Sequence, residues 1–186
     1  MSQSLKSRRA LPDQSYLREC FRCENGRLYW RSRPRSHFET ERAHKIFNTR
    51  YAQARAGSPM SNGYRAVALA GSKFLEHRVI YKLINGAFDE GMIVDHIDQD
   101  HTNNSIHNLR LCTPAMNHAN RPGWSSRRLP KNVHWSKSEQ KYKVSLRANG
   151  NRFNIGTYEN LADAEAAAAK ARRELHGQFA FHGAGQ

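Results

Sequence analysis

Asp95 and His96 stand side by side, Asn108 lies thirteen residues after Asp95, and Asn117 follows nine residues later. A carboxylate and a carboxamide oxygen are hard ligands of the kind Mg²⁺ prefers, and that ion keeps several waters while accepting one or two protein ligands. Histidine titrates near neutrality, so His96 can take a proton from water. Together these are the parts of a metal-dependent phosphodiesterase. Taken one at a time, Asp, Asn and His in a polar loop are ordinary turn formers. The weight therefore falls on their order and on the elements that carry them.

Residues 92–96 read as a strand that delivers Asp95 and His96 to the mouth of a polar loop, 97–107. Residues 108–112 read as the returning strand. Thr113-Pro114 is a helix start, a hydroxyl cap followed by proline at the first helical position, which places Asn117 in the first turn of a short helix. A strand, loop, strand, helix unit can hold one metal ion between Asp95 and Asn117. Upstream, Tyr64 to Leu69 alternates into a turn at Gly71-Ser72, a second strand follows, and a helical pattern begins near Glu76. Residues 1–60 show a short hairpin around Gly26 and then an irregular stretch to Gly57-Ser58-Pro59.

The chain has 186 residues, 38% of them hydrophobic, and its mean hydropathy is −0.84. Those values predict modular pieces with thin cores rather than one large core. The net charge of +14 is unevenly placed. Residues 1–60 hold 13 Lys/Arg against 5 Asp/Glu, residues 61–120 hold 5 against 6, and residues 121–186 hold 12 against 5. Two basic arms around a neutral middle suit a polyanion gripped on both sides of a cation-requiring site. No apolar run is long enough to span a membrane and no secretory signal is visible, so no membrane partner and a cytoplasmic location are expected. Cys20 and Cys23 form a lone CxxC without a second pair, so no structural zinc is expected.

A basic, turn-rich linker covers 121–131, with Trp124 as a docking candidate. Beyond it three strands alternate around Val133, Trp135, Tyr142, Val144, Leu146, Phe153 and Ile155, with Asn149-Gly150 as the hairpin turn. Asn160 caps a helix ended by Gly177, whose Leu161, Ala164, Ala168, Ala171 and Leu175 fall on one stripe. If Val144, Leu146, Phe153 and Ile155 face that helix, then His134, Ser136, Lys143, Ser145, Arg147, Arg152 and Asn154 face away. That open face carries no acid, which predicts contact with DNA.

Asp95-His96, Asn108-Leu109-Arg110 and Asn117-His118-Ala119-Asn120 resemble the three motif blocks of the HNH, or ββα-metal (His-Me finger), endonucleases, in their phage and intron homing-type branch. His77-Arg78 resembles a pair that often precedes them. The resemblance implies that Asp95 and Asn117 hold a divalent cation, usually Mg²⁺ with Mn²⁺ able to substitute, and that His96 is the general base. It implies that Asn108 orients the His96 ring, with His118 as the alternative to Asn117 on the helix. His101 and His107 read as solvated loop residues near phosphate, and His77 as a core or supporting residue. Residues 132–180 resemble the plant ethylene-response-factor (APETALA-type) DNA-binding domain, which implies base-reading roles for His134, Ser136, Ser145, Arg147, Arg152 and Asn154. Ser145 and Asn154 depart from that family's longer acid and aromatic, so its base preference does not transfer.

The predicted class is α+β: a small ββα-metal nuclease unit (61–120) between a basic N-terminal DNA-contacting segment (1–60) and a three-stranded sheet plus one helix (132–180), with a tail at 181–186. The expected activity is Mg²⁺-dependent hydrolysis of double-stranded DNA near a recognised site, in a bacterial host's cytosol if the chain is phage-encoded, with no oligomeric partner required. The alternatives are a DNA-binding regulator built on an inactive nuclease fold and, less favoured by a groove-reading sheet, an RNA-cleaving enzyme.

Overall fold

The computed structural model describes residues 10–120, 129–148 and 150–180, and its first hairpin is set by Asn25-Gly26, both with left-handed backbone (φ 49° and 69°). That turn matches the twist of the flanking strands. It joins β1 (Phe21–Glu24) to β2 (Arg27–Trp30), with Phe21 opposite Trp30 and Glu24 opposite Arg27. The chain is a mixed α+β structure that divides into two units, Met1–Leu111 and Cys112–Gln186.

In the first unit α1 (Gln14–Cys20) runs directly into β1. The stretch after β2, expected to be irregular, contains a single 3-10 turn at Arg35–His37 and α2 (Glu41–Tyr51). Thr40 caps α2 by accepting the Ala43 N–H at 3.1 Å. The helical pattern is hard to read because its inward positions are mixed: Phe47 packs against the apolar core and Trp30, while His44 and Asn48 bond to Arg33. Asn48 Oδ1 accepts from the Arg33 N–H at 2.9 Å, and the Arg33 guanidinium lies 4.9 Å from the Phe38 ring and 5.0 Å from that of Phe47.

Next come β3 (Ser58–Pro59), β4 (Arg65–Leu69) and β5 (Ser72–Leu75), in sheet order β3-β4-β5 and antiparallel, with the β4–β5 turn at Ala70-Gly71. α3 (Glu76–Asn85) starts without a loop and buries Val79, Ile80 and Leu83 together with the polar Glu76, His77, Arg78 and Lys82. β6 (Ile93–His96) then pairs with β7 (Leu109–Cys112). One continuous core holds Leu17, Phe21, Leu28 and Trp30 from the first third with Val67, Phe74, Ile80, Val94 and Leu109. The boundary expected at residue 60 is therefore corrected: the apolar side chains on either side of it bury one another, and burial of that kind is the dominant favourable term in folding. Residues 10–60 share the first unit's core with the strands and helix that follow.

The second unit begins with α4 (Pro114–Asn120), whose start is the expected one, since Thr113 Oγ1 accepts from the Met116 N–H at 3.2 Å. β8 (Val133–Ser136), β9 (Lys141–Ala148) and β10 (Asn151–Tyr158) form an antiparallel sheet in the order β10-β9-β8. α5 (Leu161–His176) is capped by Asn160, whose Oδ1 accepts from the Asp163 N–H at 2.9 Å, and Gly177 follows its last turn. Ala164 and Ala168 are fully buried beneath it with Val133 and Val144, flanked by Tyr142, Ile155, Tyr158 and Leu161. Residues 121–128 of the predicted linker, including Trp124, together with Asn149 of the hairpin turn and the 181–186 tail, lie outside the described residues.

A bulge at Ile155 interrupts the pairing of β10 with β9. The register steps from Asn154 opposite Ser145 to Gly156 opposite Val144. An extra residue in one strand resets which side chains share a face. Ile155 and Val144 pack under α5, whereas Phe153, opposite Leu146, is 38% exposed and outside that cluster.

Candidate active site

His96 ends β6 with its ring 3% exposed, and its Nε2 lies 2.8 Å from Asn104 Oδ1. Asn104, also 3% exposed, turns its amide nitrogen to Glu76 Oε2 at 3.2 Å. Glu76 has no exposed surface; its Oε1 accepts the Leu28 N–H at 3.1 Å and Arg55 Nη2 at 3.3 Å. Arg65 Nε completes the set as an ion pair, 3.3 Å from Oε2. A buried carboxylate is tolerated only where charges and donors surround it, and here two guanidinium groups, a backbone N–H and an amide do so.

The amide against the His96 ring is that of Asn104, whereas Asn108, expected to orient the ring, bonds within the loop. Asn108 donates to Asp98 Oδ1 and to the Asn103 carbonyl, both at 2.8 Å, and its Oδ1 accepts from the Asp98 N–H at 3.1 Å. It staples the loop shut and leaves the imidazole to another amide. Asp98 also accepts from the Asp100 N–H at 2.8 Å and from Asn103 Nδ2 at 2.6 Å. The Thr102 N–H and hydroxyl, 2.9 and 2.8 Å from Asp100 Oδ1, hold the Asp100 carboxyl below the usual range. The loop between β6 and β7 is thus built by its own side chains bonding to backbone, a local pattern that short Asp and Asn residues favour.

Asp95 pairs through Oδ2 with Arg110, 3.2 Å from Nε and 3.1 Å from Nη2, and both side chains are nearly buried. His77, 4% exposed, packs its ring edgewise on His96 with centroids 4.9 Å apart. His101, expected to be solvated, is half-buried and stacked flat on Tyr64 at 4.0 Å, with His96 5.8 Å away. His107 is exposed as expected. Arg78 serves the other end of the finger, donating to the Met92 carbonyl at 3.1 Å and pairing with Glu90 at 2.8 Å to fix the approach to β6. Glu76, Asn104 and Tyr64 were missed by sequence reasoning. The polar residue opening α3 immediately after a strand was the one signal available for Glu76.

Asn117 and His118 are carried by α4 in the second unit, Asn117 half-buried and His118 exposed. Among the described residues no group of three or more His, Cys, Asp or Glu side chains forms a metal cluster. The Asp95 carboxylate is a hard donor of the kind that fits a strongly hydrated hard cation. Cys20 is buried against His37 Nδ1 at 3.8 Å, and burial pushes its thiol up to about 11, which makes it a packing residue in its free form. Among the described residues no helix is long and apolar enough to cross a membrane.

On the second unit's sheet, Arg147 and Arg152 stand directly opposite each other, and Arg152 Nη2 donates to Ser145 Oγ at 3.1 Å. Ser145, opposite Asn154 and two residues before Arg147, is buried on that same face beneath Arg152, which it holds. His134, Lys143, Arg147, Arg152 and Asn154 are exposed and Ser136 is half-buried. Lys143 is paired with Glu139 from the preceding turn. A cleft of about 910 Å³ is lined by Lys131, His134, Arg147, Arg152 and His176 among others, and among the described residues no Asp or Glu lines it. Burial, then the neighbouring Arg172, lowers Lys131 to about 8; burial, then Lys131 and Arg172, lowers His176.

The family model for HNH endonuclease matches residues 74–119. The chain is 33% identical over 105 residues to Protein 3.8 of Escherichia phage T7, covering 56% of this chain and 86% of that protein. It is 38% identical over 108 residues to an uncharacterized HNH endonuclease, L560, of Acanthamoeba polyphaga mimivirus, and spans about half of that protein, 54%. Among solved structures it is similar to the HNH homing endonuclease I-HmuI, described for DNA binding and cleavage, at 20% identity and a TM-score of 0.39 over 84% of this chain and 85% of that one. The chain belongs to the family of phage T7 Protein 3.8, and its residues 74–119 are an HNH endonuclease domain.

Proposed function

We propose that the protein is a metal-dependent endonuclease that hydrolyses phosphodiester bonds of double-stranded DNA, in the manner of a homing-type phage enzyme, with His96 as general base. The observation that carries this reading is the His96 ring itself: nearly buried at a strand end, beside the Asp95 carboxylate in sequence, with Nε2 committed to Asn104. An imidazole that donates through Nε2 keeps its lone pair on Nδ1, where it can accept a proton from water. Asp95 would hold a divalent cation, Mg²⁺ or Mn²⁺. Such an ion, when bound, stabilises charge on the phosphate and on the leaving oxygen. Asn108 and Asp98 contribute by keeping the intervening loop shut, and Arg110 by holding the Asp95 carboxylate.

The second unit supports the DNA-gripping part of the reading. Like charges directly opposite in a sheet repel, and a phosphate backbone relieves both that repulsion and the crowding of Lys131 and His176. We read the sheet, in keeping with its ethylene-response-factor resemblance, as the duplex-binding face, with Arg147 and Arg152 as its centre. The test pairs a gel shift with nicking of supercoiled plasmid in Mg²⁺ and in Mn²⁺. His96→Ala is expected to keep the shift and to lose roughly 10² to 10⁴ in nicking rate, the usual worth of a general base; undiminished nicking would overturn the assignment.

A further inference from the structure

The hydrogen bonds around Asn104 run in one direction only. A carboxylate paired with two guanidinium groups accepts and does not donate, so Asn104 must turn its NH₂ to Glu76 and its carbonyl oxygen to His96. That oxygen in turn accepts only, so the hydrogen on His96 must sit on Nε2. Tautomer and amide orientation, which coordinates alone leave open, are fixed here by a chain of acceptors that starts at Glu76.

The chain is anchored in the first third of the molecule. Leu28 and Arg55 supply donors to Glu76. The β1–β2 turn presses on the other end: a Cβ added to Gly26 would lie 2.7 Å from the Asn104 carbonyl carbon and from the Ser105 nitrogen. Gly26 therefore lets one backbone rest directly against the other, at the residue that faces His96. We propose that Glu76 and Asn104 are positioning residues that set the His96 tautomer, and that the β1–β2 hairpin is the wedge that keeps them aligned. This deepens the reading of His96 as the base and rests on it. Residues 10–60, which charge alone would assign to DNA contact, thereby become part of the apparatus that readies the base.

The test reads the tautomer without DNA or metal. In full-length protein labelled with ¹⁵N-histidine at about pH 8, where an ordinary imidazole is neutral, the His96 ring resonances, assigned with His96→Gln, are expected to report the Nε2–H form. Asn104→Ala, which leaves the Glu76–arginine contacts in place, is expected to abolish that preference. It should also lower kcat for plasmid nicking in Mg²⁺ by roughly tenfold or more, with KM and gel-shift affinity within about twofold, as expected of a group that acts on proton transfer rather than on binding. Glu76→Gln, whose amide no longer dictates which way Asn104 turns, is expected to give a mixture of tautomers. An Nδ1–H form in the wild type, or an Asn104→Ala protein with unchanged tautomer and kcat, would overturn the proposal. Failure of the base reading shows separately, as nicking by His96→Ala at the wild-type rate.

Discussion

The interior around Glu76 and the cleft of the second unit are both rich in charge, yet they are built on opposite rules. In the first unit the acid is surrounded: two arginines, a backbone N–H and an amide converge on one carboxylate with no exposed surface. In the second, Lys131, Arg147, Arg152 and His176 line one cleft that no acid lines among the described residues. A site that must aim one nitrogen needs every partner satisfied in advance. A surface that grips a polyanion gains from charge left for the ligand to neutralise.

Removing the acid should break that contrast most severely. Glu76→Ala leaves two guanidinium groups and the Leu28 N–H facing an apolar gap, and about 3 to 5 kcal/mol of stability is expected to be lost, seen as a lower urea midpoint. Overpacking the second unit is the milder counterpart. Ala168→Leu forces extra methylenes between α5 and Val144, and about 1 to 3 kcal/mol is expected, read in the same unfolding experiment as a loss confined to the second unit. The cleft is sharpened by salt. Replacing Arg147 and Arg152 together by alanine should reduce the slope of log affinity for duplex DNA against log salt by about 2, close to one per phosphate contact, with His96-dependent chemistry intact once DNA is saturating.

The smallest effect is electrostatic. Burial lowers Lys131 from its ordinary 10.5 to about 8, so between those values the unfolded chain holds a proton that the folded one has released. Stability of the second unit is therefore expected to rise as pH climbs through that window, and Lys131→Met should flatten the rise in thermal melts. A slope of the opposite sign would remove Lys131 from the crowded set of cations.

The site's skeleton was legible because its signals are local. Asp95-His96 at a strand end, the Asn25-Gly26 turn, Thr113-Pro114 and the Asn160 cap each act within a few residues, where backbone preference and hydrogen bonding to near neighbours decide the outcome. Other features escaped for physical reasons. α2 hid behind mixed inward positions, His44 and Asn48 beside Phe47, and Phe153, opposite Leu146 on the face of Val144, stays 38% exposed without any marker in the strand pattern. His101 looked solvated until Tyr64, 37 positions earlier in the sequence, stacked on it.

What the amino-acid order determined on its own was therefore which groups would stand at the end of which element: a carboxylate and an imidazole on a strand, two amides on the elements after it, basic residues on a sheet. What only tertiary structure decided was their partners. Asn108 and Asn104 are the same side chain four residues apart in one loop, and no local preference separates a staple from an orienter. The separation comes from Glu76, Leu28, Arg55 and Gly26, brought by hydrophobic burial from as far as 78 positions away in the chain, because a buried carboxylate dictates which way every polar group around it must turn.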